Sequence, residues 1–208
     1  MTDPIQVICE NTGAAIEVPM GTTLLDVQRR LMPACDHPCL AAYVNNRTKE
    51  LNYRIYTPVT VRFLDITSFE GIRVYQRTVS FVLQKAVREL WPDRRLHIRH
   101  SMGSNGFYCE VSGIDEFTDG QIDRLRDHML KLVGRDLPIR RTKALTEQVR
   151  SLYAAYGFVD KIALLDTRPR LYSELYTIDG MPGYFYGSLA PSTGYVGLFD
   201  LQRYYNGF

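Results

Sequence analysis

The chain has 208 residues, 45% of them hydrophobic, and a formal charge of +2 from 25 basic and 23 acidic side chains. That length suits about one or two globular domains burying roughly 70% of the unfolded surface, with no need of a disulfide or metal to fold. The charge balance excludes a large single-sign field, so any nucleic-acid footprint must be local. No apolar run approaches the roughly 20 residues of a bilayer span. Four irregularly spaced cysteines, with no signal peptide before them, read as reduced thiols of a soluble cytoplasmic protein.

Ile5, Val7 and Cys9 alternate with polar residues, Asn11-Thr12-Gly13 turns, and Ala15 to Val18 returns, which predicts a β-hairpin. Gly21-Thr22-Thr23 opens a helix whose buried stripe is Leu24, Leu25, Val27 and Leu31, and Pro33 closes it. A strand at Leu40 to Val44 turns at Asn45-Asn46, and another runs from Val59 to Leu64. Hairpin, helix, then strands is the order of a β-grasp. Gly21-Thr22-Thr23-Leu24-Leu25-Asp26, and Ala42-Tyr43-Val44-Asn45-Asn46 followed by Leu51, resemble the TGS domain, a ubiquitin-like module of threonyl-tRNA synthetases and some GTPases. The resemblance implies an adaptor or RNA-proximal unit over residues 1–67, with an interaction surface and no active site. Cys35-Asp36-His37-Pro38-Cys39 offers three donors, but a closed zinc site wants four and no fourth is near, so no metal is expected.

Ser68-Phe69-Glu70-Gly71 separates the halves, and Val74 to Leu90 has a broad apolar face, with Arg77, Gln84, Lys85 and Arg88 as its polar side and Trp91-Pro92 as its end. Strands are expected at Leu96 to Arg99 and Gly106 to Val111 around the turn Gly103-Ser104-Asn105-Gly106, followed by a helix capped at Thr118-Asp119 and stopped at Gly134. Leu137 to Arg141 reads as a strand, Thr142 to Tyr156 as a helix with Gly157 as its cap, Ile162 to Leu165 as a short strand, and Gly194 to Leu201 as a last one.

Ala86-Val87-Arg88-Glu89-Leu90-Trp91-Pro92, Asn105-Gly106-Phe107-Tyr108-Cys109-Glu110-Val111 and Pro191-Ser192-Thr193-Gly194 resemble the editing domain of threonyl-tRNA synthetase and its alanyl relatives. The fold class implied is α+β: a β-grasp unit at 1–67, then an editing-like α+β domain at 72–208. In that family the helix carries His-x-x-x-His and a late loop Cys-x-x-x-His, four groups that bind zinc or arrange water for hydrolysis of a mischarged ester. The matching positions here hold Arg77, Phe81, Phe185 and Leu189. Phe and Leu neither ligate nor shuttle protons, so neither a catalytic residue nor a metal is expected. His97 and His100, three apart on a strand, point to opposite faces, and His128 reads as a solvated helix residue. Cys109 reads as a small strand residue rather than a nucleophile.

Two local basic groups remain: Lys85, Arg88, Arg94, Arg95 and Arg99 around Trp91, and Arg135, Arg140, Arg141, Lys143 and Arg150 further on. Sharing a face, they would contact phosphates, with His97 and Tyr108 for stacking, and Arg94, Arg95, Arg99, Arg140, Arg141 and Lys143 are the candidate nucleic-acid contacts. Interspersed Glu89, Asp93, Asp136 and Glu147 suit ordinary solvated charge equally well.

The aromatic run Tyr184-Phe185-Tyr186-Gly187, continued to Phe199-Asp200-Leu201-Gln202-Arg203-Tyr204-Tyr205, resembles the N-terminal region of bacterial uridine-kinase-like nucleoside kinases. That resemblance implies a P-loop kinase domain in cis, with ATP and Mg²⁺ as its cofactors. No Gly-x-x-x-x-Gly-Lys-Ser/Thr occurs in this chain, and the stop at Asn206-Gly207-Phe208 suggests a truncated chain. The function expected is a non-catalytic regulatory or RNA/nucleotide-sensing module, with tRNA or another RNA as partner and neither membrane nor DNA. The alternatives are an aminoacyl-tRNA deacylase with an altered site and a protein-interaction scaffold with a large apolar patch. An apolar floor of Phe81, Phe185 and Leu189 with Arg77 at its rim is the shape to look for.

Overall fold

The computed structural model describes residues 4–33, 35–103 and 106–208. Strands β1 (Pro4–Cys9) and β2 (Ala15–Pro19) form the expected hairpin, and α1 (Leu24–Leu31) starts where the Thr23 hydroxyl accepts from the Asp26 N–H at 3.1 Å. β3 (Ala41–Val44), β4 (Arg47–Glu50) and β5 (Val59–Leu64) complete a five-stranded sheet ordered β2-β1-β5-β3-β4, with β1 and β5 parallel. This is the β-grasp. Val7, Leu24, Val27, Leu51 and Val61 are sealed between sheet and helix.

The polar segment Arg47–Glu50 carries no strand pattern of its own. It becomes a strand because Asn45 and Asn46 both take positive φ (47° and 64°), the backbone of a two-residue hairpin turn, which lays Arg47 opposite Val44. Its charges suit an edge position.

The helix expected from Val74 begins earlier: α2 runs Phe69–Leu90, so Ser68-Phe69-Glu70-Gly71 is its cap and first turn rather than a linker. The Ser68 hydroxyl accepts from the Gly71 N–H at 3.1 Å. A Cβ on Gly71 would stand 1.7 Å from the Asp65 carbonyl oxygen, so only glycine lets β5 fold back so tightly into α2. Lys85, expected on a polar side, is buried and paired with Glu89 at 2.8 Å and, at 3.5 Å, with Asp179 from the turn after Ile178.

Beyond α2, β6 (Leu96–Met102) and β7 (Gly106–Val111) pair as a hairpin, whose expected turn includes Ser104 and Asn105, outside the described residues. α3 (Asp119–Gly134) opens with a reciprocal Thr118/Gln121 capping box. It continues through Gly134 and ends where Asp136, not a glycine, takes φ 48°. Three expectations fail further on. The strand is β8 (Ile139–Leu145), so Thr142 to Leu145 is extended and the helix is the shorter α4 (Thr146–Ala155). The run Ile162 to Leu165 lies within helix α5 (Val159–Asp166), an ambiguity inherent in short apolar runs. No strand forms at Gly194 to Leu201, where only a 3₁₀ turn at Thr193–Tyr195 occurs.

The missing strands are β9 (Tyr172–Ile178) and β10 (Met181–Gly183), turning at Asp179-Gly180, both with positive φ; with β8 they form a sheet ordered β10-β9-β8. Asp-Gly is itself a hairpin signal. The stretch after Thr193 stays irregular because side chains engage its backbone: the Tyr75 hydroxyl donates to the Leu198 carbonyl at 2.8 Å and accepts from its N–H at 2.6 Å.

The larger core gathers Phe81, Val82, Phe117, Leu125, Met129 and Ile178. A smaller cluster joins Leu40 and Ala41 of the β-grasp to Val74 and Tyr75 of α2 and to Ala190. Among the described residues no helix is long and apolar enough to cross a membrane.

Candidate functional site

Helix α2 sets Arg73, Arg77 and Phe81 four residues apart on one face. After β10, the segment Tyr184–Ala190 runs against that face, fixed by the Thr78 hydroxyl, which accepts from the Ala190 N–H at 3.0 Å and donates to the Val74 carbonyl at 2.7 Å. Phe81 is fully buried and its ring centroid lies 5.0 Å from that of Phe185, which in turn sits 6.3 Å from Tyr176. Leu189 is buried beside them in the same core. Arg77 donates to the Ser188 carbonyl at 3.3 Å.

Arg77, Phe81, Phe185 and Leu189 therefore lie along one seam. Added Cβ atoms on Gly183 and Gly187 would come within 2.5 Å of the Phe81 ring and 2.7 Å of the Arg77 guanidinium, so the backbone closes directly onto these side chains. The seam is filled with ring and aliphatic carbon. Among the described residues no group of three or more His, Cys, Asp or Glu stands close enough to share a metal. His128 Nε2 is instead 2.6 Å from Glu89, and His100 packs on Tyr108 at 5.3 Å on the β6–β7 hairpin.

In front of the seam lies a groove of about 1960 Å³ between the β-grasp and the β8–β9 sheet. The register pairs Arg141 with Tyr176 and Lys143 with Glu174, so these four share one strand face, and all line the groove. Its walls carry ten Lys or Arg and only four Asp or Glu, so a chain of nearly balanced charge concentrates its cations here. Among the described residues only Arg29, Arg73 and Arg141 of these ten pair with a carboxylate. The rest are Lys49, Arg54, Arg77, Arg140, Lys143, Arg168 and Arg170. Six tyrosines and Phe185 interleave with them.

Glu50 of β4 crosses the groove. It receives hydrogen bonds from the Tyr176 hydroxyl and from Arg141 at 3.4 Å, and Arg141 also holds Glu174. Burial pushes the Glu50 carboxyl above its ordinary range, and the bonds from Tyr176 and Arg141 only partly offset it. Burial together with the Glu50 charge pushes the Tyr176 phenol well up. The same hydroxyl lies 2.7 Å from the Gly187 carbonyl, linking the β-grasp to the seam.

The candidate cations divide. Arg140, Arg141 and Lys143 line the groove, whereas Arg94, Arg95 and Arg99 do not. Arg94 donates to the Ser112 carbonyl at 3.1 Å and the Arg95 N–H donates to the Ser112 hydroxyl at 2.8 Å, both at the base of the β6–β7 hairpin, and Arg99 pairs with Glu110 across its strands at 2.6 Å. Sequence reasoning missed Arg29, Lys49, Arg54, Arg73, Arg168 and Arg170. Arg168-Pro169-Arg170 was visible as a basic pair in a loop, but Lys49 and Arg54 face the groove only because the β-grasp docks where it does. Pro191–Gly194 is a structural clamp: the Thr193 hydroxyl donates to the Leu132 carbonyl at 2.7 Å, and Asp136 accepts from the Ser192 hydroxyl and, at 3.1 Å, from the Gly194 N–H.

No family model matches the chain. By sequence it is similar to the threonine–tRNA ligase of Rubrobacter xylanophilus, 28% identical over 190 residues that cover 91% of this chain and 29% of the ligase. It is likewise similar to threonine–tRNA ligase 1 of Bacillus subtilis, 26% identical over 204 residues, 97% of this chain and 31% of the ligase. With the ligase of Desulforamulus reducens it shares 27% identity over 157 residues, 76% of this chain and 25% of that protein. The chain spans about three tenths or less of the length of the curated relatives it matches.

Proposed function

We propose that this chain binds tRNA in the groove between its β-grasp and its β8–β9 sheet and does not hydrolyse what it binds. The observation that carries the reading is the groove itself: ten cations against four carboxylates, most of the cations unneutralised, with tyrosines between them. Such a surface suits a phosphate backbone with unstacked bases laid on aromatic rings. Similarity to threonine–tRNA ligases over most of the chain points to tRNA as the nucleic acid. The seam behind the groove offers no proton shuttle and no metal ligand at the four positions where the editing resemblance would put them. A kinase domain in cis, with its ATP and Mg²⁺, rests on the resemblance of the terminal aromatic pattern alone; the relatives matched by sequence are ligases.

The ligase similarity favours a second reading, an aminoacyl-tRNA deacylase working with other residues. One preparation decides between them: tRNA affinity across a salt series, release of serine from seryl-tRNA, and bound zinc. Salt-sensitive binding with neither deacylation nor zinc is the expected result. Deacylation above the uncatalysed rate would replace this reading with the second, and absence of binding at low salt would remove both.

A further inference from the structure

The segment between α1 and β3 carries a feature that tRNA binding does not use. The Cys39 Sγ lies 3.1 Å from the Cys35 Sγ, with Cys39 buried in the β-grasp core and Cys35 half-exposed at its edge. Cys39 is followed directly by Leu40 and Ala41, which form the joint with α2. We propose that Cys35 and Cys39 are a thiol modification site, a pair that closes reversibly to a disulfide under peroxide and reopens with a thiol reductant.

The roles follow from position. Burial, reinforced by the hydrogen bond to Cys35, pushes the Cys39 thiol up, so Cys39 keeps its proton and donates it toward the Cys35 sulfur. Cys35, the accessible and hydrogen-bond-accepting sulfur, is the one that meets the oxidant. Its thiolate attacks hydrogen peroxide, forming an S–O bond as the O–O bond breaks, and the departing hydroxide takes a proton to become water. Cys39 then attacks the sulfenic sulfur. The S–S bond forms, the S–O bond breaks, and the second hydroxide leaves with the Cys39 proton as water. Two thiols and one peroxide give one disulfide and two waters. Closing the gap to a bond of about 2.05 Å asks for a movement of roughly 1 Å within a connecting segment. The other cysteines provide internal controls: Cys9 is sealed in the β-grasp core and Cys109 is buried, with its thiol pushed up to about 12 by that burial.

The test is intact-mass and peptide analysis of the purified chain treated with hydrogen peroxide, then alkylated. The expected product has lost two hydrogens and yields a peptide joining Cys35 to Cys39, while Cys9 and Cys109 are alkylated after unfolding. Dithiothreitol restores four alkylatable thiols. Cys39→Ser should instead trap Cys35 as a dimedone-reactive sulfenic acid, and Cys35→Ser should leave Cys39 unoxidised. The proposal is overturned if Cys39 stays alkylatable in the wild-type chain while Cys35 is oxidised. It is also overturned if Cys35→Ser does not slow oxidation, or if the native chain holds zinc on this pair.

Discussion

If the groove holds phosphate, two of its exposed cations without a carboxylate partner among the described residues, Lys143 and Arg170, carry a measurable share of the binding. Each phosphate neutralised contributes about 0.9 to the slope of log K against log salt on duplex and about 0.7 on single strands. Replacing both with alanine removes two such contacts, so the slope should fall by about 1.8 if they grip a duplex stem and by about 1.4 if they grip an unpaired end. Referred to 1 M salt, those slopes correspond at 0.1 M to affinity lower by roughly 60-fold and 25-fold respectively. Both side chains are solvent-facing, so the folded state should change by no more than about 0.5 kcal/mol, which a denaturant titration checks. Arg94→Ala/Arg95→Ala is the matched control, since it removes two positive charges from the segment before β6, away from the groove. The assay is tRNA binding by fluorescence anisotropy from low to moderate salt. If the groove pair leaves the slope unchanged, or the control pair lowers it as much, the groove is not where phosphate is held.

Other consequences concern the joint and the filled seam. Phe81→Ala removes a fully buried ring packed on Phe185 and should cost about 3–5 kcal/mol in urea unfolding; a loss under about 1 kcal/mol would mean that the seam is not closed in solution. Gly71→Ala has no room beside the Asp65 carbonyl and should lower the melting temperature sharply, whereas an unchanged midpoint would refute the tight return from β5 into α2. Glu50 has a raised carboxyl pKa in the fold, so its contribution favours folding at low pH and is lost as pH rises through that raised value. Glu50→Gln stays neutral, so between about pH 4 and about pH 7 the stability difference should move in the variant's favour; a flat or opposite trend counts against the buried position of Glu50. Tyr153→Phe deletes a buried hydroxyl that has no hydrogen-bond partner among the described residues, and calorimetry should find the variant no less stable than the parent.

The β-grasp was legible because its signals are local: alternation at Ile5 to Cys9, the Thr23 cap, and the Asn45-Asn46 turn each determine their own backbone. β4 escaped notice because its register comes from that turn and not from its own residues. In the second half the errors cluster where pairing partners are distant. Thr142 to Leu145 has the composition of a helix start, yet it is held extended by β9, whose residues lie about thirty positions later. Ile162 to Leu165 erred the other way, since four apolar residues cannot report a period. For the site, motif spacing led to the four seam positions, but which cations converge is a property of docking. Arg94 and Arg141 look alike in sequence; only the sheet register and the β-grasp wall separate them.

On the proposed reading binding needs no hydrolytic group, because the seam and the unneutralised cations belong to different elements. The seam belongs to α2 and the segment after β10, while most of the unneutralised cations belong to β4, β8 and the loop between α5 and β9. Phosphate contacts act on the ground-state complex and leave the bond-breaking step untouched, so they can persist after the groups that would stabilise a transition state are replaced. The packed side chains Phe81, Phe185 and Leu189 also limit what the groove can admit. A close-packed aromatic wall leaves no unsatisfied polar group behind, and on the proposed reading it keeps an acyl group out. The expected consequence is indifference to aminoacylation: seryl-tRNA, threonyl-tRNA and uncharged tRNA should bind within about 2-fold of one another, because one small side chain held outside a pocket adds little contact area. Discrimination of about 10-fold or more, equivalent to about 1.4 kcal/mol, would show that the acyl group still reaches a pocket and that the seam opens.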